Sequence, residues 1–173
     1  MPEGSIYPLQ IRTEVRRSDI DAVRRIVEST GFFHPYETAI AVELVEERLN
    51  RGPASGYEFV FADSNGEPAG YTCYGLIGCT KASYDLYWIA VAQDRQGLGL
   101  GRILIEESER RIAAAGGLRV YIETSNRPLY VPTRGFYLRC GYEQEAVLKD
   151  FYAPGDDKVI YGKALNPRFD SEG

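Results

Sequence analysis

The chain has 173 residues, 44% of them hydrophobic and 26% charged, with a net charge of −5 at pH 7. Such a length accommodates one domain with a full core, and such a composition belongs to a globular chain rather than a disordered or membrane-embedded one. The acidic balance and the absence of any Lys/Arg block argue against nucleic acid as a partner, while an acidic surface tolerates a cationic one.

Met1-Pro2-Glu3-Gly4 does not have the form of a signal peptide, and no apolar run approaches ~18 residues. The expectation is a soluble, cytoplasmic protein without membrane contact. Cys73, Cys79 and Cys140 are odd in number and lack metal-ligand spacing, so they read as buried thiols in a reducing compartment, and no metal is expected.

Residues 1–9 carry two prolines and a glycine and read as a lead-in. Ile11–Val15 alternates as a strand does. Ser18, with Asp21 three residues on, has the form of a capping box for a helix whose apolar face is Ile20, Val23, Ile26 and Val27. Gly31 and Pro35 end it, and a second helix follows over Glu37–Asn50, burying Val42, Val45 and Leu49. His34, alone between the helices, carries no role in this reading.

Tyr57–Asp63 and Gly70–Ile77 are strands, and Asn65-Gly66 between them is a hairpin signal. Tyr84–Ala92 is nearly all apolar, as in a central strand covered on both faces. A long helix bearing Leu100, Ile103, Leu104, Ile112 and Ala115 runs to Gly116-Gly117. Leu118–Thr124 is a strand, Thr133–Cys140 a short helix, and Tyr142–Tyr152 and Lys158–Leu165 are strands joined through Pro154-Gly155. This order predicts an α/β chain with a mixed sheet.

The stretch with chemical content is Gln96-Gly97-Leu98-Gly99-Leu100-Gly101, set between a strand and a helix. Alternating glycines let the backbone approach a ligand closely, and the helix start adds unpaired N–H groups and partial positive charge, an arrangement suited to phosphate. A dinucleotide fingerprint needs glycine where Arg102 stands, and nothing supplies the Gly-Lys-Ser/Thr of a P-loop. Gln-x-x-Gly-x-Gly after Leu86–Val91 instead resembles the acetyl-CoA motif of the GNAT superfamily of N-acetyltransferases.

The resemblance covers almost the whole chain. It implies a mostly antiparallel seven-stranded sheet flanked by about four helices, in a single domain. It implies acetyl-CoA held by Ile89, Ala90 and Val91 along the pantetheine arm and by Gln96, Gly97, Leu98, Gly99, Leu100, Gly101 and Arg102 at the pyrophosphate. Phe136–Tyr142 resembles the second GNAT motif and makes Tyr137 the general acid. Asp85 stands where some members carry a catalytic Glu, one methylene longer. Glu123 matches a Glu of the ribosomal-protein N-terminal acetyltransferases. Either is a candidate base, because the attacking amine must be neutral and an alkylammonium has a pKa of ~10.4.

Many members carry an Asn seven residues before the Tyr, where this chain has Tyr130, so Asn126–Arg134 reads as an altered loop. Phe33, Tyr36, Glu37 and Tyr130 are expected to line the acceptor pocket, for a small amine or a peptide N-terminus. A homodimer is carried as a candidate assembly. The alternative from another class is a non-catalytic acyl-CoA-binding regulatory module.

Overall fold

The structure, a computed structural model, describes residues 8–165, so most of the 1–9 lead-in lies outside the described residues. The strands are β1 (Leu9–Arg12), β2 (Glu58–Ser64), β3 (Glu67–Leu76), β4 (Ser83–Val91), β5 (Arg119–Ser125), β6 (Glu143–Ala153) and β7 (Asp156–Ala164). The helices are α1 (Asp19–Ser29), α2 (Pro35–Arg51), α3 (Leu100–Ala114) and α4 (Val131–Arg139). The strands are hydrogen-bonded in the order β1-β2-β3-β4-β5-β7-β6, with β4 and β5 parallel. The mixed, mostly antiparallel sheet expected from the sequence is therefore present. Among the described residues, no helix is long and apolar enough to cross a membrane.

The chain forms two compact units. One comprises residues up to 75 together with 88–108, and the other 76–87 together with everything from 109 onward. β4 contributes its first half to the second unit and its second half to the first.

In the first unit, Val23, Ile26 and Val27 of α1 and Ala41, Val42 and Val45 of α2 pack with Phe59, Phe61, Tyr71, Cys73 and Ala90 of the strands. Phe59, Phe61 and Tyr71 stack in a row with centroids 5.7–6.2 Å apart. Asn65 and Gly66 have positive φ (53° and 84°), the mirror-image turn that joins two twisted strands tightly. Leu49, expected to be buried, is 37% exposed, and the buried face of α2 is Thr38, Ala41, Val42 and Val45.

The entry to α1 also differs from expectation. Ser18 makes no side-chain cap. Asp19 accepts the Arg16 N–H at 2.7 Å instead, and both its oxygens accept from Arg12 at 2.9 Å. The other edge of the Arg12 guanidinium donates to Asp63 at 2.9 and 3.2 Å, and it also bonds the Glu14 carbonyl. These side chains are 5%, 1% and 4% exposed. A two-sided guanidinium outbids a hydroxyl, so the acid rather than the serine fixes this turn. Burial alone would lower the Arg12 pKa; hydrogen bonds and charge from Asp19 and Asp63 outweigh it and raise it.

The second unit centres on tyrosines. Tyr137 of α4 lies with Tyr142 and Tyr161, ring centroids 6.3 and 6.0 Å away. Tyr142 donates to Glu109 at 3.0 Å, and Lys163 donates to both Glu109 oxygens and to the Cys140 carbonyl, all at 2.9 Å. Cys73 and Cys140 are buried, but Cys79 is exposed, on a turn with φ 63°, and so corrects the reading of three buried thiols. Ala115 is exposed just beyond the end of α3, and Ile105 is buried where Ile103 is only half-buried.

Two outcomes follow for stability. Arg12→Ala strands two buried carboxylates and should cost roughly 3–5 kcal/mol, read as a lower urea midpoint at unchanged slope. For the tyrosines, burial first, then nearby charge, raises the pKa of Tyr137 and Tyr142 above the usual value of about 10. Above that value the unfolded chain releases protons that the folded chain keeps. The stabilisation is thus whole below about pH 10 and drains as pH rises further. Urea midpoints at pH 9 and pH 11 should show that fall, and Tyr142→Phe should make it smaller while leaving the part due to Tyr137.

Candidate active site

The first unit carries the glycine turn. β4 ends at Val91, a single 3-10 turn spans Gln93–Arg95, and α3 begins at Leu100. Gln96 folds back to donate its side-chain amide to the Val91 carbonyl at 3.1 Å, closing the turn. Gly97 and Gly99 have φ of 77° and 83°, values that cost an L side chain of order 1 kcal/mol or more. Among the described residues, a Cβ built on either would meet no atom within 4 Å.

Gln96 through Gly99 are exposed, while Leu100 is 1% exposed and anchors the helix beneath. The first recurring helical bond is Ile103 N–H to the Gly99 carbonyl at 3.2 Å, which leaves the amides before it open. No acid stands in the first turn of α3, and Arg102 there is exposed, so the partial positive charge of the helix end is not cancelled. Chemically, open amides at an uncancelled helix start suit an anion.

Sequence reasoning missed the residue that seats the helix. Gly70 of β3 lies where a Cβ would come 3.0 Å from the Ala90 carbonyl and 3.0 Å from Leu104 of α3. A glycine inside an apolar strand was the available signal of such close approach. Ile89 and Val91 of β4 are half-buried and Ala90 is buried.

The expected acceptor-lining residues of this unit have distinct surroundings. Phe33 packs on Trp88 of β4 with centroids 4.8 Å apart. Tyr36 is 64% exposed and stacks on His34. Glu37 is engaged: its carboxylate accepts the His34 backbone N–H at 2.7 Å and caps α2. His34 thereby gains a structural place at the start of that helix.

The second unit carries the candidate acids and bases. Asp85 pairs in register with Tyr121, and Glu123 pairs with Ile160, while Ser125 pairs with Lys158. Strand alternation therefore puts Asp85, Glu123 and Lys158 on one face of the strands. Lys158 binds Glu123 at 2.7 Å. Asp85 is half-buried, and burial, then the Glu123 charge, raises its pKa above the ordinary carboxylate value, while Lys158 pulls it down. The strand is not wholly apolar on both faces, since Tyr87 is 40% exposed.

Tyr137 is 5% exposed within the tyrosine cluster. Tyr130 is half-buried, with Arg127 at 5.5 Å from its ring centroid. The segment read as an altered loop is largely helical: Pro128–Tyr130 forms a 3-10 turn and α4 starts at Val131. Pro128 and Pro132 fall at helix starts, where a missing N–H costs nothing. Asn126 is fully committed to β7, donating to the Asp157 carboxylate and accepting its N–H at 3.0 and 2.9 Å. Arg134 ties the segment down by donating to the Ser125 and Arg127 carbonyls.

Comparison with known proteins gives a consistent answer. Residues 55–144 match the family described as Acetyltransferase (GNAT) domain. A curated relative, an uncharacterised N-acetyltransferase of Methanocaldococcus jannaschii, is 27% identical over 146 residues, which cover 82% of this chain and 83% of the relative. A crystal structure assigned to the GNAT family of acetyltransferases, from Desulfovibrio desulfuricans, is 50% identical at a TM-score of 0.90, over 91% of this chain and 99% of that one. An aminoglycoside 6'-N-acetyltransferase complexed with coenzyme A shares the fold at 19% identity and a TM-score of 0.72, over 92% of this chain and 98% of its own. The chain belongs to the GNAT family of acetyltransferases.

Proposed function

We propose that this chain transfers the acetyl group of acetyl-CoA directly to a primary amine, either on a small molecule or at a peptide N-terminus. The observation that carries the reading is the glycine turn, with positive φ at Gly97 and Gly99, open space where their Cβ atoms would stand among the described residues, and an uncancelled helix start behind them. The backbone amides from Gly97 to Gly101 would hold the pyrophosphate, and Ile89, Ala90 and Val91 the pantetheine arm, as the family resemblance implies. A coenzyme A complex of a protein sharing this fold supports the choice of ligand.

The chemistry needs a neutral amine, a place for its surplus proton and a donor for the leaving thiolate. Asp85 and Glu123 are the candidate proton acceptors, and Tyr137 the candidate donor. The amine attacks the thioester carbon, the N–C bond forms, and the C–S bond breaks with its electron pair on sulfur. Phe33, Tyr36 and Tyr130 offer aromatic surface to the acceptor. Glu37, engaged at the head of α2, contributes charge more readily than a hydrogen bond.

The reading is tested by thiol release from acetyl-CoA with a panel of tyramine, spermidine and a tripeptide with a free N-terminus. Release with one class and not the others fixes the acceptor. Tight coenzyme A binding without release from any of them would point to the binding-module alternative.

Two substitutions give further outcomes. Gly99→Val puts a branched side chain into the open concavity and strains the turn, so calorimetry should find coenzyme A affinity lost while the thermal transition persists. Tyr137→Phe keeps the ring and its packing. With a responsive acceptor, kcat should fall by roughly 10²–10³-fold, the loss of one hydrogen-bond donor to developing charge, with coenzyme A affinity unchanged.

A further inference from the structure

Lys158 was not singled out from the sequence, and its setting is unusual for a lysine. Its side chain is 11% exposed, its ammonium lies 2.7 Å from Glu123, and the ring centroids of Phe151 and Tyr152 are 3.6 and 6.0 Å away. A four-carbon stem ordinarily lets an ammonium reach water, and holding it under an aromatic ring is costly unless a carboxylate and the ring face compensate. Here both are present. The cation is thus held on the strand face that carries both candidate bases.

The two carboxylates are treated differently. Glu123 is 45% exposed yet bound to the ammonium. Asp85 lies deeper, and its carboxylate has no ion pair or hydrogen bond among the described residues. The charged groups acting on Asp85 within its unit are Glu123 on β5 and Lys158 on β7; Tyr121 is its strand neighbour, and Arg119 on the same face is engaged by Glu145 and the Tyr121 hydroxyl.

We infer that Lys158 is a positioning residue for the proposed transfer: it holds Glu123 in an ion pair beneath Phe151 and leaves Asp85 as the carboxylate that takes the amine's proton. The inference rests on the acetyl-transfer reading. In the step, the neutral amine forms the N–C bond, the C–S electron pair leaves on sulfur, and the surplus N–H proton passes to an Asp85 oxygen and then to solvent. Lys158 touches none of the reacting atoms. Its cation offsets the repulsion between Glu123 and the ionised Asp85, so that Asp85 is charged when the amine arrives. Burial and then Glu123 raise the Asp85 pKa, and Lys158 opposes both by lowering it, as an offsetting cation must.

The experiment is a ¹³C NMR titration of the side-chain carboxyls of the full chain without ligand, with Asp85→Asn assigning the Asp85 resonance. Lys158→Met should move the Asp85 midpoint up, Glu123→Gln should move it down, and Lys158→Arg should return it close to wild type. A lysine that only supports the fold does not produce opposite shifts from those two variants when both keep the wild-type thermal transition. An Asp85 midpoint unchanged in Lys158→Met overturns the inference.

The amine panel supplies the second arm. In Lys158→Met, kcat/KM should be lost mainly on the acid side of the profile and recover at high pH, with Lys158→Arg restoring it. An acid limb that persists in Asp85→Asn and vanishes in Glu123→Gln also overturns the inference. Failure of every amine in the wild-type protein defeats the acetyl-transfer reading instead, and the carboxyl titration still decides what Lys158 does to Asp85.

Discussion

A strand that passes its chain to a helix through two glycines of positive φ fixes where the first unit presents its open amides. Only glycine holds φ near 80° at little cost, so the direction in which α3 leaves β4 is set by Gly97 and Gly99. The position of the helix is then set by packing. Leu100 and Leu104 are buried, and Gly70 leaves room for Leu104 against the strand. Had Gly70 a side chain, Leu104 and the Ala90 carbonyl would have to move, and the first turn of α3 with them. The placement of the turn therefore depends on a glycine of β3 that contributes no amide to it.

In the second unit, strand alternation puts opposite chemistry on the two faces of β7. Lys158 and Lys163 differ in sequence parity, so they project to opposite sides. Lys163 neutralises Glu109 and satisfies the Cys140 carbonyl beside Tyr142, an arrangement that completes its own partners. Lys158 meets Glu123 on a face that also bears Asp85, giving two acids for one cation. The first cluster is balanced and half-buried and acts in stability. The second has a carboxylate left over, and an unpaired, partly buried carboxylate is what proton transfer requires.

The most local signals were the most legible in the sequence. Asn65-Gly66 gave the hairpin and Gln96–Gly101 the strand–turn–helix, because each rests on glycine conformations that neighbouring residues cannot change. Ser18 was misread because the competitor for its cap lies in space rather than in sequence: Arg12, on β1, draws Asp19 into a pair that also includes Asp63, 51 residues from Arg12. The 126–134 segment reads as an altered loop because it departs from the family's Asn spacing, which says nothing about local conformation; Pro128 and Pro132 stand at helix starts. Lys158 gave no signal at all, since a lysine at a strand's start reads as solvated, and its partner 35 residues earlier is reached only through the β5–β7 register.

The burial of Tyr137 limits what a phenol can contribute in the proposed reaction. An unperturbed phenol has a pKa of about 10 and a thiol one of about 8.5, so full proton transfer to the leaving thiolate is uphill by about 2 kcal/mol. Burial first, then the charges of Cys140 and Tyr161, raises the Tyr137 pKa further and makes full transfer harder still. A hydrogen bond to the developing anion is not limited in this way, because it needs only a protonated phenol in place as charge grows on sulfur. The same burial that makes Tyr137 a poor acid keeps it protonated across the whole range in which an amine can attack. In the proposed transfer, the phenol then stabilises the departing thiolate by hydrogen bonding, and the thiolate gains its proton from water after release.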